Sequence, residues 1–254
     1  MTFFGVFLRR LGGWIAVADL VALMGDLDLD EQAARSAVSR LKRRGVIASE
    51  RRGGAAGYRL TATGLAILEA GDARIFGRAP TGPDAWLLVV FSIPEARRAL
   101  RHKLRARLAW LGLGTVAAGV WIAPAAAEAE VQRAIDELGL AGHVELFRGD
   151  HLGGPQAVAA WWDLDAIAAE YRAYLAAWEP ALRRNGGRPA GAPAFAAHVR
   201  QFEAWRRIPF HDPGLPAAVL PDDWPGAHAW DVFRALDRRL GGAALRHVEA
   251  RTAR

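Results

Sequence analysis

Residues 30–60 read DEQAARSAVSRLKRRGVIASERRGGAAGYRL, a helix followed by a hairpin. Asp30 suits a helix N-cap, because its carboxylate can accept from the free N–H groups of the first turn, and Glu31 suits the positive end of the helix dipole. Ala34, Ala37, Val38 and Leu41 recur at i, i+3, i+4 and i+7, which makes one apolar stripe. Lys42-Arg43-Arg44 form a basic last turn, and Gly45 ends the helix. Val46–Glu50 and Tyr58–Leu60 then flank the glycine-rich loop Arg51–Gly57, the pattern of a β-hairpin.

Upstream, Phe3, Phe4, Phe7, Leu8 and Leu11 stand at helical spacing until Gly12-Gly13 stops them. A short strand, Trp14–Val17, and a second short helix, Ala18–Met24, follow. Downstream, Thr61 or Thr63 starts a further helix to Ala70, and Gly77–Pro83 reads as a linker. Three helices and a two-stranded wing are the winged helix-turn-helix plan, whose third helix enters the major groove while the wing touches the backbone or minor groove. Opposite the apolar stripe lie Gln32, Arg35, Ser36, Ser39, Arg40 and Arg43. Arginine can pair bidentately with guanine and glutamine with adenine, and serine lets a helix sit close to phosphates. Arg51, Arg52 and Tyr58 are the wing's candidates for DNA contact. Seven basic residues (Arg40, Lys42, Arg43, Arg44, Arg51, Arg52, Arg59) stand against Glu50 alone, a local cationic field. Two other readings stay open: a merely solvated helix face, and a winged helix that binds protein.

The middle section changes character. Trp86–Phe91 is a continuous apolar run suited to a buried strand. A basic helix, Pro94–Leu111, precedes one bent strand or two over Thr115–Ile122, then a helix, Glu128–Leu138, and a strand, His143–Phe147. This βαββαβ order predicts a ferredoxin-like sandwich. The last section is helical: Trp161–Trp178, a Gly/Pro loop at Asn185–Pro193, Phe195–Arg207, a Pro-rich turn at Leu215–Pro225 and a final helix, Ala227–Leu240. The expected fold is α+β in three parts: a winged helix-turn-helix at 1–78, a ferredoxin-like domain at 84–150, and a mainly helical domain for ligand and dimer contacts at 155–254. In the middle helix, Arg97, Arg98, Arg101, Lys103, Arg105 and Arg107 grip DNA or a ligand's phosphates, or simply face water while Leu100, Leu104, Leu108 and Leu111 pack inward. The C-terminal aromatics line an apolar pocket or fill the core of an alanine-rich domain. Trp161, Trp162, Arg172 and Trp205 are the candidate ligand-binding residues.

Composition narrows the function class. The 254 residues carry 33 Lys+Arg against 27 Asp+Glu, a net +6 that suits a polyanionic partner. With no cysteine there is no disulfide, thiolate nucleophile or cysteine-ligated metal. The N-terminus has no signal-peptide pattern, so a cytoplasmic location is expected. Leu108–Ala127 is uncharged and long enough for a membrane span, but Gly112, Gly114, Gly119 and Pro124 divide it into a helix end, a turn and a strand, so no membrane is expected. Histidines such as His143, His151, His198, His211, His228 and His247 lack metal-ligand spacing, and no Walker, dinucleotide or nucleophile-elbow motif occurs. No cofactor is expected.

AARSAVSRLKRRG at 33–45 with YRLT at 58–61, WLLVVFSIP at 86–94, the stretch Leu104–Leu113, GVWIAP at 119–124 and LPDDWPG at 220–226 together resemble the PaaX-type family, the repressors of phenylacetate degradation. The resemblance covers nearly the whole chain in the family's order. It implies a homodimer that binds a palindromic double-stranded DNA operator and leaves it when an aromatic acyl-CoA such as phenylacetyl-CoA binds. The chain starts inside the first helix, where relatives carry several more residues. The middle section also resembles the ferredoxin-like CRISPR-associated nuclease, whose metal-dependent members place an Asp at the end of the first strand. Here that strand ends Phe91-Ser92-Ile93-Pro94 without a carboxylate, so the expectation is a regulator and not an enzyme, with a metal-dependent nuclease or a protein-interaction module as alternatives.

Overall fold

The structure, a computed structural model, describes residues 1–77, 85–153, 155–183, 189–215 and 217–253. A short π-helical segment, Phe4–Leu8, leads into β1 (Trp14–Ala16), α1 (Val17–Gly25), α2 (Glu31–Arg43), β2 (Ile47–Arg52), β3 (Ala55–Leu60) and α3 (Ala62–Phe76). Then come β4 (Trp86–Phe91), α4 (Arg98–Trp110), β5 (Gly114–Ala117), β6 (Val120–Pro124), α5 (Glu128–Glu137) and β7 (Val144–Gly149). The remainder is helical: α6 (Pro155–Ala159), α7 (Leu164–Arg183), α8 (Gly191–Trp205), α9 (Ile208–His211) and α10 (Gly226–Thr252). The fold is mixed α and β with two antiparallel sheets, ordered β1-β3-β2 and β5-β6-β4-β7.

Compactness groups the chain into two units. The first joins Met1–Gly77, Tyr174–Trp205 and His228–Arg254; the second joins Arg78–Ala173 and Arg206–Ala227. The three consecutive segments read from sequence describe chain order, whereas these units interleave the ends of the chain.

In the first unit, Phe7, Leu8, Ile15, Leu23, Val38, Leu41, Val46 and Leu60 share one core with Phe195 of α8 and Ala244 and Val248 of α10. The Phe195 ring meets Phe7 at 5.4 Å and Phe3 at 6.5 Å. The N-terminal stretch does not close its own core, as expected of short elements that bury little area by themselves. The first helical segment is also fixed to α3, because Arg9 donates two hydrogen bonds to Asp72 at 2.6 and 3.0 Å.

Several elements differ in extent from the sequence reading. The hairpin loop is not seven residues: β2 and β3 pair down to Arg52 opposite Ala55, leaving a two-residue turn, Gly53-Gly54, with φ of +53° and +82°. Two consecutive positive φ values need glycine, and Ala55 and Ala56 extend the strand instead of the loop. Helix α3 starts from Thr61, whose Oγ1 accepts from Gly64 N at 2.9 Å, and runs past Ala70 to Phe76. The last helix passes through Gly241-Gly242 to Thr252. Glycine costs a helix about 1 kcal/mol, which the fully buried Ala244 and Val248 beyond it offset. The Thr115–Ile122 stretch is two strands joined at Gly119 (φ +79°), where a Cβ would stand 2.6 Å from Phe91 O. Most of the Gly77–Pro83 linker, and residues 185–188 of the Asn185–Pro193 loop, lie outside the described residues; Gly191 already opens α8.

In the second unit, α4 and α5 cover one face of the four-stranded sheet. Leu87, Val89 and Phe91 point into that core with Leu104, Leu108, Val131 and Ile135. Among the described residues, no helix is long and apolar enough to cross a membrane.

Candidate nucleic-acid interface

The geometry of α2 follows from its two ends. Asp30 Oδ1 accepts from Ala33 N at 2.6 Å, which fixes the first turn. At the other end Gly45 (φ +67°) lets Val46 N reach Leu41 O at 3.0 Å, so the chain reverses straight into β2. Ala34, Val38 and Leu41 are buried and Ala37 half-buried. Gln32, Arg35, Ser36, Ser39, Arg40 and Arg43 are all exposed, so the structure brings the six expected helix residues together on one open side.

Their availability differs. Arg40, Lys42, Arg43 and Arg44 have no ion-pair partner among the described residues. Arg35 is held by Glu31 one turn earlier, in a pair whose side chains are 70% and 55% exposed. Such an exposed pair is worth about 0–1 kcal/mol, so a phosphate or base edge competes for this arginine at little cost.

The turn before α2 is held from the C-terminal side of the same unit. Asp26 accepts from His247 at 2.7 Å and from Arg251 at 3.2 Å, both on α10, and Asp28 pairs with Arg200 of α8. Asp28 itself sits at φ +62°. These contacts set where α2 begins.

The β2–β3 hairpin is stiffened from beneath. Trp14 Nε1 donates to Glu50 O at 3.4 Å, and the Arg52 guanidinium lies 5.6 Å from the Trp14 ring centre. Glu50 binds both Arg52 and Arg59, so these two cations are partly neutralised. Arg51, one residue along and so on the other strand face, is exposed and donates to Gly54 O at 2.7 Å. Tyr58 is half-buried and packs on the core, which makes it a support of the hairpin. Trp14 and Glu50 were missed by sequence reasoning. Glu50 did stand out in the sequence as the one acid of the basic run, whereas Trp14 finds its place only in the fold, where Gly57 makes room for it: a Cβ there would stand 2.4 Å from the Trp14 ring.

The middle helix is more engaged. Arg101 pairs with Glu95 at 2.6 Å, Arg107 with Glu137 at 3.9 Å and with the Trp110 ring at 4.6 Å, and Arg97 meets His143 at 3.2 Å. Arg98, Lys103 and Arg105 have no partner among the described residues.

The four ligand candidates do not converge. Trp205 is 1% exposed in the first unit, stacked on Phe233 at 4.7 Å with its Nε1 on Ile75 O at 3.0 Å, a core residue. The other three belong to the second unit. There Trp162 Nε1 donates to Gly112 O at 2.9 Å, exposed Arg172 pairs with Asp223, and Trp161 lines a groove on the sheet. Among the described residues, no group of three or more His, Asp or Glu is placed to hold a metal ion.

Three family models match the sequence: the PaaX-like protein model over residues 1–64, the PaaX protein central Cas2-like domain over 81–160, and the PaaX-like protein C-terminal domain over 162–250. Among curated proteins, the transcriptional repressor PaaX of Escherichia coli (strain K12) is 26% identical over 255 residues, spanning 96% of this chain and 80% of that protein. Among solved structures, the uncharacterized protein Rv0674 of Mycobacterium tuberculosis aligns with a TM-score of 0.65 at 21% identity, covering 97% of this chain and 95% of the other, a likeness of fold. Spanned by these three matches in order, the chain belongs to the PaaX family.

Proposed function

We propose that the protein is a DNA-binding transcriptional repressor, released from its operator by an aromatic acyl-CoA. The carrying observation is the open face of α2, where Arg40 and Arg43, without an ion-pair partner among the described residues, stand beside Ser36, Ser39 and Gln32. In this reading the first helical segment, α1, α2 and the β2–β3 hairpin are a winged helix-turn-helix, with α2 in the major groove and Arg51 and Arg52 on the wing at the backbone. The similarity to a protein named as a transcriptional repressor supports it.

The four-stranded sheet with helices on one face is read as ferredoxin-like and as architecture, not as a nuclease. Its first strand runs on into Ser92, where a metal-dependent enzyme of that shape needs a carboxylate. The protein acts as a homodimer in the cytoplasm, two winged helices meeting the half-sites of a palindrome. Phenylacetyl-CoA is the first effector to test, and it must bind the DNA-free state more tightly to shift the equilibrium.

Fluorescence anisotropy with the DNA upstream of the protein's own gene tests this, with and without phenylacetyl-CoA, at two salt concentrations. Tight, salt-dependent binding relieved by the thioester is expected. Affinity no greater than for random DNA would overturn the repressor reading at that site.

A further inference from the structure

Of the 33 basic residues in the chain, two are lysines, Lys42 and Lys103, and the rest are arginines. The two side chains differ in chemistry. A guanidinium stays charged and does not take an acyl group under ordinary conditions, whereas a lysine amine is a nucleophile whose charge is cancelled when it becomes an amide. With no cysteine in the chain, these two amines are the side chains able to hold an acyl group as a stable adduct. Lys42 stands in the last turn of α2 and Lys103 in the middle of α4.

Both lysines are exposed, and neither has an ion-pair partner among the described residues. Their surroundings differ. Within two residues of Lys42 stand Arg40, Arg43 and Arg44, all exposed and without an ion-pair partner among the described residues. Within two residues of Lys103, Arg105 alone is in that condition, because Arg101 is held by Glu95 at 2.6 Å. The one acid of the basic run, Glu50, is occupied by Arg52 and Arg59. The end of α2 is therefore an uncompensated cationic patch with one amine in it. Such a patch raises the local concentration of small anions. Helical spacing places Lys42 at i+3 from Ser39 and i+7 from Arg35, on the flank of the face proposed to read DNA.

We propose that Lys42 is an acyl-acceptor site, modified by a small anionic acyl donor that Arg43 and Arg44 gather. An acyl phosphate and a nucleotide acyl thioester share that chemistry, an activated carbonyl on a phosphate-bearing leaving group. The ammonium first releases a proton to water. Its nitrogen then attacks the carbonyl carbon and a C–N bond forms. The C–O bond to phosphate, or the C–S bond to the thiol, breaks with its electron pair on the leaving group. The proton shed as the amide forms passes to the departing thiolate or to water. The product is neutral, so α2 loses one cation and its flank gains bulk. The loss of DNA affinity that follows rests on the repressor reading; the acyl transfer does not.

Peptide mass spectrometry of the whole chain, treated without DNA with acetyl phosphate, acetyl-CoA or the uncharged N-hydroxysuccinimidyl acetate, tests the site. With acetyl phosphate, Lys42 is expected to be acetylated about tenfold faster than Lys103, the low end of what a focusing field supplies. That preference should shrink at roughly 1 M salt, where the screening length falls to about 3 Å. It should vanish with the uncharged reagent and in Arg43→Gln/Arg44→Gln. The faster of the two anionic donors names the source. Equal rates at the two lysines, or a preference that persists with the uncharged reagent and in high salt, overturns the proposal. Anisotropy titration then reads the consequence. Acetylated wild type and Lys42→Gln should each lower the slope of log K against log salt by about 0.9, or about 3.5-fold in affinity between roughly 50 and 200 mM salt. Lys42→Arg should make DNA binding indifferent to acetyl phosphate. An unchanged slope in Lys42→Gln overturns the switch. DNA binding no tighter than to random sequence is instead a failure of the repressor reading, and the transfer rates still decide the acceptor site.

Discussion

Changing Arg40 and Arg43 together to glutamine removes two cations that have no partner within the described chain and leaves the buried stripe of α2 untouched. If each meets one phosphate, each lowers the slope of log K against log salt by about 0.9, so the pair lowers it by about 1.8 per bound chain. Between roughly 50 and 200 mM salt that difference amounts to about twelvefold in affinity. Wild type should therefore weaken about twelvefold more than the double variant across this range. The assay is an anisotropy titration on one duplex at four salt concentrations. Arg98→Gln/Arg105→Gln, which removes two equally unpartnered cations from α4, is the control and should keep the wild-type slope. An unchanged slope in the α2 variant, or an equal fall in the α4 variant, would refute the assignment of the phosphate-binding face.

Other consequences follow from single contacts. Gly57→Ala drives a methyl into the Trp14 ring and to 2.5 Å from Ile15 O; urea unfolding should show a loss of about 3 kcal/mol, and a loss below about 0.5 would mean that β1 is free to shift. Asp26→Ala removes the acceptor shared by His247 and Arg251. A stability loss of about 2 kcal/mol is expected, with faster amide exchange in the turn before α2; unaltered exchange there would show that α10 does not hold the turn. Tyr171 donates to Asp212 at 2.6 Å. Its burial first, then the nearby Asp212 carboxylate, raise its pKa well above the ordinary tyrosine value, and burial does the same for Tyr174. A raised folded pKa stabilises the neutral phenol, so this contribution is whole below the unfolded value of about 10 and is lost as pH rises beyond it. Tyr171 and Tyr174 should thus stay un-ionised until alkaline unfolding, read by tyrosinate absorbance alongside circular dichroism, and ionisation of either before unfolding would contradict that burial.

What the sequence determined was what depends on neighbours along the chain. The Asp30 cap, the stripe of Ala34, Val38 and Leu41, the Gly45 stop and the strand at Trp86–Phe91 are all local patterns, because caps, periodicity and positive φ act within a few residues. The exposure of Arg40 and Arg43 followed from the same helical period. The sequence also carried the family, since its motifs recur in order. Tertiary structure decided what depends on residues far apart. Phe195, Ala244 and Val248 complete the core beneath α2, which no spacing within 1–78 could indicate. Trp205, one of three equivalent-looking tryptophan candidates, became core because Phe233 and Ile75 O surround it, whereas Trp161 met Trp86 and Phe147 beside the sheet to form a groove. Glu50, a lone acid in a basic run, became the clamp on Arg52 and Arg59 through strand register. An aromatic ring or a charge has no local signature for which of these roles it takes; only the groups brought against it by the fold set its burial and its partner.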